Sequence, residues 1–187
     1  KIGSGTVHDL TIAYSVIEDV SFLKSVHTLT LYLCKKLENV SELGQVHKLT
    51  LDGCIAIQDV SKLGTVHDLT IKNCPEIKDV AALNTVHKLT LQNVTAASSV
   101  SISKLGNVHD LTLTNCPYIR NVSNLSTVHD LTIKNCPNVK YVSKLGKVPK
   151  LFIEKCDHLK HLNIKKLNTV RKLKIQDCYH IKDTNRN

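Results

Sequence analysis

A pattern of about twenty residues recurs along the whole chain and restricts its fold more than any other feature. It reads V-H-x-L-T-[LI]-x-x-C-x-x-[ILV]-x-D-V-S-x-L-G-x, and a clear copy runs from Val66 to Thr85. Nine copies, spaced 19 to 22 residues apart, begin at Val7, Val26, Val46, Val66, Val86, Val108, Val128, Val148 and Val170. A fixed period of this length is typical of a solenoid, in which each repeat forms one coil stacked on its neighbours. We therefore predict a single domain of nine coils over residues 1–187.

The spacing of apolar residues predicts the structure of one coil. Apolar residues occupy positions 1, 4, 6, 9, 12, 15 and 18, which in the second coil are Val26, Leu29, Leu31, Cys34, Leu37, Val40 and Leu43. The alternation at positions 4 and 6 predicts a short strand with one buried face, and the later spacing of three predicts turns or a 3₁₀ turn. Asp or Asn at position 14 favours turn hydrogen bonds. Glycine at position 19, as in Gly44 and Gly64, predicts a positive φ where the chain turns back.

The segment L-x-L-x-x-C-x-x-[IL] resembles the leucine-rich repeat, whose consensus is LxxLxLxxN or LxxLxLxxC. The resemblance extends from Val7 to Asp183. The repeat length is similar to the short, SDS22-like class but about two residues tighter, and tandem V-H-x-L-x-L-x-x-C arrays resemble those encoded by large DNA viruses of amoebae. The resemblance implies a leucine-rich-repeat solenoid with a parallel β-sheet on its concave face, turns or short 3₁₀ segments on its convex face and little or no α-helix. It also implies protein binding without catalysis.

Two longer coils and the two ends depart from the pattern. The fifth coil reads VSISKLGN from Val100 and the eighth reads LNIKKLNT from Leu162, so each gains an apolar residue, Ile102 or Ile164. We expect each return segment to bulge and still to bury apolar surface, either as a tolerated insertion or as a ridge for a partner. Neither end shows a polar cap, which predicts fragment boundaries or end-to-end self-association.

Composition bears on location. No apolar run approaches the roughly 20 residues that span a bilayer, and no signal-peptide pattern appears at Lys1, which suggests a fragment of a longer chain.

Seven cysteines occupy position 9: Cys34, Cys54, Cys74, Cys116, Cys136, Cys156 and Cys178. Their odd number and the lack of a CxxC pair argue against disulfides and zinc, and predict an intracellular, reducing, cytoplasmic location. Because Ser15 and Val94 share this position, we interpret the column as packing, with redox or metal chemistry as the alternative.

A second column consists of histidines that follow the first-position valine: His8, His27, His47, His67, His87, His109 and His129. Two interpretations remain open. The favoured one is imidazole stacking between coils, which protonation near the ordinary histidine pKa of about 6.5 would destabilise. The other is a histidine ladder that binds a divalent metal ion. A carboxylate beside each histidine would favour this second interpretation. Position 3 supplies that carboxylate only in some coils, at Asp9, Asp68, Asp110 and Asp130. We therefore predict no metal and no cofactor.

Positions 3, 5 and 7 should face outward on the sheet. Position 5 is threonine in seven coils, from Thr11 to Thr132, a column that suits a sheet. At position 3, Lys48, Asp68, Lys88 and Asp110 alternate in sign, and we expect them to pair between coils. The middle of this surface is then poor in the Tyr, Trp and Arg residues that anchor interfaces.

The C-terminal end breaks the pattern and carries the charge. Residues 128–187 contain 14 Lys and Arg against 5 acids, whereas residues 1–127 contain 11 of each, so the net charge of +9 lies in the last coils. Phe152 and Lys174 replace the threonine, and Pro149 and Arg171 replace the histidine. The partner-binding candidates are Lys134, Lys150, Phe152, Lys155, Lys172 and Lys174, with a weaker second group at Tyr14 and Tyr32.

An aromatic residue among cations can bind an acidic protein or, as the alternative, a nucleic acid or other polyanion. A solvated basic face without a partner is a third interpretation. No Ser/His/Asp constellation, phosphate-binding glycine loop or pair of catalytic carboxylates appears in the sequence. We therefore predict an interaction scaffold, not an enzyme.

Overall fold

The nine repeats form one parallel sheet. The computed structural model describes residues 7–142, 144–159, 164–167 and 169–179. Their nine strands follow chain order, and each pairs with the next with equivalent positions in register. The strands are β1 (Asp9–Ala13), β2 (Thr28–Tyr32), β3 (Lys48–Asp52), β4 (Asp68–Lys72), β5 (Lys88–Gln92), β6 (Asp110–Thr114), β7 (Asp130–Lys134), β8 (Lys150–Glu154) and β9 (Lys172–Gln176).

The core is the set of apolar columns that the sequence predicts. In the second coil all seven predicted residues, from Val26 to Leu43, are buried. The two inward residues of each strand from β2 to β8 are almost fully buried, which confirms one apolar face per strand. At the ends the core is less covered: Leu10 and Ile12 of β1 are only partly buried, and Leu173 of β9 is 37% exposed.

Short 3₁₀ segments run opposite the sheet, as predicted. They span Ser21–Leu23, Ser41–Gln45, Ser61–Thr65, Ala81–Thr85, Leu105–Asn107, Ser123–Leu125, Leu145–Lys147 and Ile164–Leu167. The position-14 side chain fixes the start of such a segment, because Asp59 Oδ1 accepts the backbone N–H of Ser61 at 2.7 Å. This bond holds the pKa of Asp59 below its usual value. Asn39 makes the same contact with the N–H of Ser41, so the predicted turn chemistry is confirmed.

The prediction that glycine at position 19 has a positive φ is wrong. Gly44 and Gly64 lie within 3₁₀ segments and do not have positive φ. A Cβ atom added to Gly64 would lie 2.5 Å from the carbonyl oxygen of Ala82 in the next coil. Glycine is therefore needed there because two coils approach closely, and not because the backbone is left-handed.

The left-handed residue is instead position 8, directly after each strand. Nine residues have φ between 47° and 68°: Tyr14, Leu33, Gly53, Asn73, Asn93, Asn115, Asn135, Lys155 and Asp177. Asparagine tolerates this conformation better than most residues, and here it also links the coils. Asn93 Nδ2 donates to Asn73 Oδ1 at 2.6 Å, and Asn135 Nδ2 donates to Asn115 Oδ1 at 2.6 Å. This asparagine ladder was not predicted from the sequence.

The insertion in the fifth coil forms the four-residue helix α1 (Ser99–Ile102), capped by Ser98, whose Oγ accepts the N–H of Ser101. The extra residues of this coil lie in the helix, and the additional apolar residue is Val100, which is 72% exposed. Ile102 is buried and lies three residues before Leu105. In other coils the same separation joins the position-15 valine to the position-18 leucine, so Ile102 takes the place of that valine.

The corresponding prediction concerns the side chain of Ile164, which the structure does not describe, and the ends predicted to lack a cap, residues 1–6 and 183–187, also lie outside the described residues. In the part of the chain that the structure describes, no helix is long and apolar enough to cross a membrane.

Replacing Lys155 by Asn should stabilise the fold. Lysine at φ 51° carries the strain of the left-handed region, roughly 1 kcal/mol, which asparagine relieves. The new amide would also lie beside Asn135 and extend the ladder. Chemical denaturation should show a free energy of unfolding higher by about 1 kcal/mol.

Lys155→Ala is the matched control, because it removes the same charge but keeps a Cβ residue with no amide. Equal stabilisation by Ala and Asn would mean that charge, and not backbone strain, limits stability at this site.

Candidate functional site

The histidine column is a continuous ring stack along one flank of the sheet. Successive rings from His8 to His129 have centroids 4.5 to 4.7 Å apart and interplanar angles of 15° to 30°. This separation matches the spacing of neighbouring strands, so stacking follows directly from the fold. The predicted imidazole stacking is confirmed.

Four of the stacked histidines also contact the carboxylate of the next residue. Nδ1 lies 2.7 to 3.1 Å from a carboxylate oxygen in the pairs His8–Asp9, His67–Asp68, His109–Asp110 and His129–Asp130. An ionised carboxylate can only accept, so Nδ1 carries a hydrogen in these pairs, and in the neutral imidazole Nε2 keeps the free lone pair. His27, His47 and His87 are followed by Thr28, Lys48 and Lys88 and have no such neighbour.

The predicted ion pairs between coils at position 3 are wrong for Lys48, Asp68, Lys88 and Asp110. These residues do lie opposite one another in the sheet register. Among the described residues, however, no ion pair joins them, and the carboxylates of Asp68 and Asp110 contact their own histidines instead.

The ring stack should make the fold acid-sensitive. Protonating His27 and His47 places two like charges 4.6 Å apart in the folded chain, a repulsion that unfolding removes. Stability therefore falls as pH falls through the range where histidines titrate. The melting temperature should be lower at pH 5 than at pH 7.5 by about 2–4 °C for each ~1 kcal/mol of repulsion.

Replacing both His27 and His47 by glutamine should reduce this difference in melting temperature between pH 5 and pH 7.5. Glutamine at both His67 and His129, whose rings have carboxylate neighbours, should reduce it less. An unchanged melting temperature between the two pH values in the wild-type protein would contradict the repulsion.

The cysteine column is buried and reduced. All seven cysteines are free, and only Cys178 is partly exposed. The thiols contact backbone carbonyls; Cys54 Sγ, for example, donates to the carbonyl of Leu31 in the preceding coil at 3.5 Å. Burial raises the pKa of Cys54 to about 11 and the pKa of Cys74 to about 12, so these groups stay protonated at neutral pH. The column packs and donates weak hydrogen bonds.

Thiol alkylation should therefore select Cys178. In the folded protein at pH 7.5, iodoacetamide should modify Cys178 first and the six buried thiols only after denaturant is added, because the thiolate is the nucleophile. Peptide mass spectrometry measures this directly, with Cys178→Ser as the control. Equal labelling of Cys54 and Cys178 in the folded state would contradict the protection.

The basic C-terminal end forms an arranged cluster around one aromatic ring. Phe152 lies in the middle of β8, with Lys134 Nζ 4.8 Å and Lys174 Nζ 5.0 Å from its ring centroid. This distance is within the range of a cation–π interaction. Lys150, Lys172 and Lys174 also line an open hollow of about 300 Å³ beside the ring. The structure thus brings five of the six predicted residues of this group together.

Internal acids neutralise part of this cluster. Lys150 Nζ lies 2.6 Å from Asp130 Oδ2, and Lys134 Nζ lies 3.3 Å from Glu154 Oε2. Partial desolvation alone would raise the pKa of Glu154, but bonds from Lys134 and Gln176 outweigh it and hold the pKa below its usual value. Within the described chain, Lys172 and Lys174 have no acidic partner within 4.0 Å.

The remaining candidates lie elsewhere. Lys155 is exposed just beyond β8 and does not line the hollow. Tyr14 and Tyr32 contact each other edge-to-face, with ring centroids 5.2 Å apart, at the opposite end of the sheet. Sequence reasoning missed Asp130 as a wall of the hollow, although its opposition to Lys150 follows from the repeat register.

No family model and no curated protein matches the sequence. The structure is similar to the leucine-rich repeat domain of the type III effector XopL, with 16% identity, a TM-score of 0.62 and coverage of 93% of this chain and 69% of that chain. It is also similar to internalin C2 of Listeria monocytogenes, with 18% identity, a TM-score of 0.54 and coverage of 83% and 73%.

The chain has the leucine-rich-repeat fold. The parallel sheet and the 3₁₀ segments of this leucine-rich-repeat solenoid agree with the predicted fold class. At 16% and 18% identity, the similarity to these two structures shows the fold alone.

Proposed function

We propose that this leucine-rich-repeat chain is a non-catalytic scaffold that binds an acidic protein through the concave face of its sheet and its basic C-terminal end. The observation that carries the proposal is Phe152 held between Lys134 and Lys174 on the outer face of the sheet. In the seven preceding strands the same sheet position is threonine, so the ring and the cations around it are a local departure from the scaffold. An apolar ring flanked by two cations offers an acidic partner both an apolar contact and a complementary charge.

The size and charge of the hollow favour an acidic side chain as its occupant. A volume of about 300 Å³ is at the lower limit for small-molecule pockets, and the hollow is open. Its cations Lys172 and Lys174 have no acidic partner among the described residues, whereas Lys134 and Lys150 do. An Asp or Glu of a partner would complete the pairing, and its stem would pack on the Phe152 ring.

Nucleic acid is the alternative ligand. A single-stranded nucleic acid prefers a groove with several stacking aromatic residues, and Phe152 is the only aromatic residue lining this hollow. Asp130 and Glu154 share the same surface and would repel phosphates. Protein binding therefore remains the better-supported proposal.

The proposal has four further parts. Exposed Tyr14 and half-buried Tyr32 supply a second contact at the other end of the sheet. The free thiols suit a reducing, intracellular compartment. End-to-end association and a kinship with SDS22-like or amoebal-virus arrays remain predictions from the repeat.

Charge reversal tests the basic end. Lys172→Glu with Lys174→Glu should weaken binding of an oligoglutamate-containing peptide by at least about tenfold, measured by fluorescence anisotropy, because each lysine contributes an attraction that becomes a repulsion. The matched control is Lys35→Glu with Lys36→Glu, an adjacent exposed pair in the second coil. Equal weakening by the two double variants would show that only net charge matters.

Phe152→Thr restores the usual sheet residue and should also weaken the peptide, whereas Phe22→Ala, at an exposed phenylalanine far from β8, should not. A labelled single-stranded oligonucleotide tests the alternative. If it binds more tightly than the peptide, with a salt dependence whose slope falls by about one for each lysine removed, the polyanion function replaces the proposed one.

A further inference from the structure

Two His–Asp pairs lie side by side at one place in the sheet. His109–Asp110 opens β6 and His129–Asp130 opens β7, and the two imidazole rings are stacked with centroids 4.5 Å apart. The other pairs, His8–Asp9 and His67–Asp68, are flanked by coils with Thr28, Lys48 or Lys88 after the histidine. In the described chain, only β6 and β7 bring two such pairs together.

The same place opposes two like charges. Asp110 and Asp130 are direct neighbours in the sheet register. They are the one pair of acidic residues that lie opposite each other at position 3 from β1 to β9. Like charges directly opposite each other on a sheet are destabilising. Lys150 offsets the charge of Asp130 from one side, but Asp110 contacts only its own histidine and has no lysine within 4.0 Å among the described residues. A bound cation would remove this repulsion.

The ligand atoms are close enough for one ion. One ring nitrogen from each of His109 and His129 and one carboxylate oxygen of Asp110 all lie within 4.8 Å of one another. Zinc binds nitrogen and oxygen at about 2.0–2.2 Å, so two atoms bound to the same ion lie at most about 4.4 Å apart. Turning the exposed His109 ring so that it releases its Nδ1–H contact with Asp110 and presents a free ring nitrogen on the same side would bring the three atoms into that range.

We propose that His109, His129 and Asp110 form a binding site for a divalent transition-metal ion such as Zn²⁺, with Asp130 as the residue that orients His129. Two imidazoles with a carboxylate suit zinc, nickel or copper better than magnesium or calcium. Asp130 holds His129 through Nδ1 at 2.7 Å, the arrangement by which carboxylates position metal-binding histidines in proteins. The remaining coordination positions face solvent and take water or a donor group from a partner.

Titration of the full chain with ZnCl₂ tests the site, using calorimetry at pH 7.5 with a non-chelating phosphine reductant. The wild-type protein should bind one equivalent. His109→Gln, His129→Gln and Asp110→Asn should each weaken binding by at least about tenfold. His47→Gln is the matched control, because it also interrupts the ring stack but has no adjacent carboxylate, and it should leave the affinity unchanged.

A gain of binding provides an independent test. Lys48→Asp places a carboxylate after His47, beside the existing His67–Asp68 pair, and so creates the same arrangement on β3 and β4. This variant should bind a second equivalent of Zn²⁺. Co²⁺ absorption in the visible range should increase in the same proportion and report the nitrogen and oxygen donors.

Three results would overturn the site. They are no saturable binding to the folded wild-type protein, equal weakening by His47→Gln and His109→Gln, and retention of full affinity by Asp110→Asn. Binding lost only in Cys178→Ser would assign the ion to the partly exposed thiol instead. Circular dichroism of each variant shows whether the solenoid is intact, and the Lys48→Asp variant keeps the proposal testable if a loss variant unfolds.

Discussion

The structure depends on the parallel hydrogen-bond ladder that holds each coil one strand spacing from the next. The ladder continues past the strands, since the N–H of Leu33 donates to the carbonyl of Asp52 and the N–H of Asn73 donates to that of Gln92. A coil of about twenty residues cannot enclose its own apolar side chains, so burial is completed only by the neighbouring coils. Every residue therefore faces its equivalent in the next coil at about 4.8 Å.

This spacing explains why chemically different columns all recur. Leucines and valines fill the inside, imidazoles stack at ring-contact distance, and asparagines bridge by side-chain hydrogen bonds. Glycine at position 19 permits contact with the next coil, and cysteine at position 9 fits a small buried site that also accepts Val94. Recurrence in this chain thus records the requirements of stacking.

Binding chemistry is concentrated where a column changes its residue. Phe152 and Lys174 end the threonine column, and the lysines around them exceed the acids available to pair with them. Asp110 and Asp130 interrupt the alternation of charge at position 3 and leave two carboxylates opposed. In both places the rigid scaffold fixes side chains whose charges are not balanced within the described chain, which is the physical condition for holding a ligand.

The sequence by itself determined the solenoid, the position of each strand, the buried columns and the stacking of histidines, because one period repeated nine times allows a single register. Only the tertiary structure decided that position 8 is left-handed, that Gly64 is required by contact with Ala82, and that Val100 is the exposed residue of the insertion. It also decided that Asp68 and Asp110 contact histidine instead of lysine. These outcomes depend on backbone dihedral angles and on competition between neighbouring side chains, and a pattern of residue types specifies neither of them.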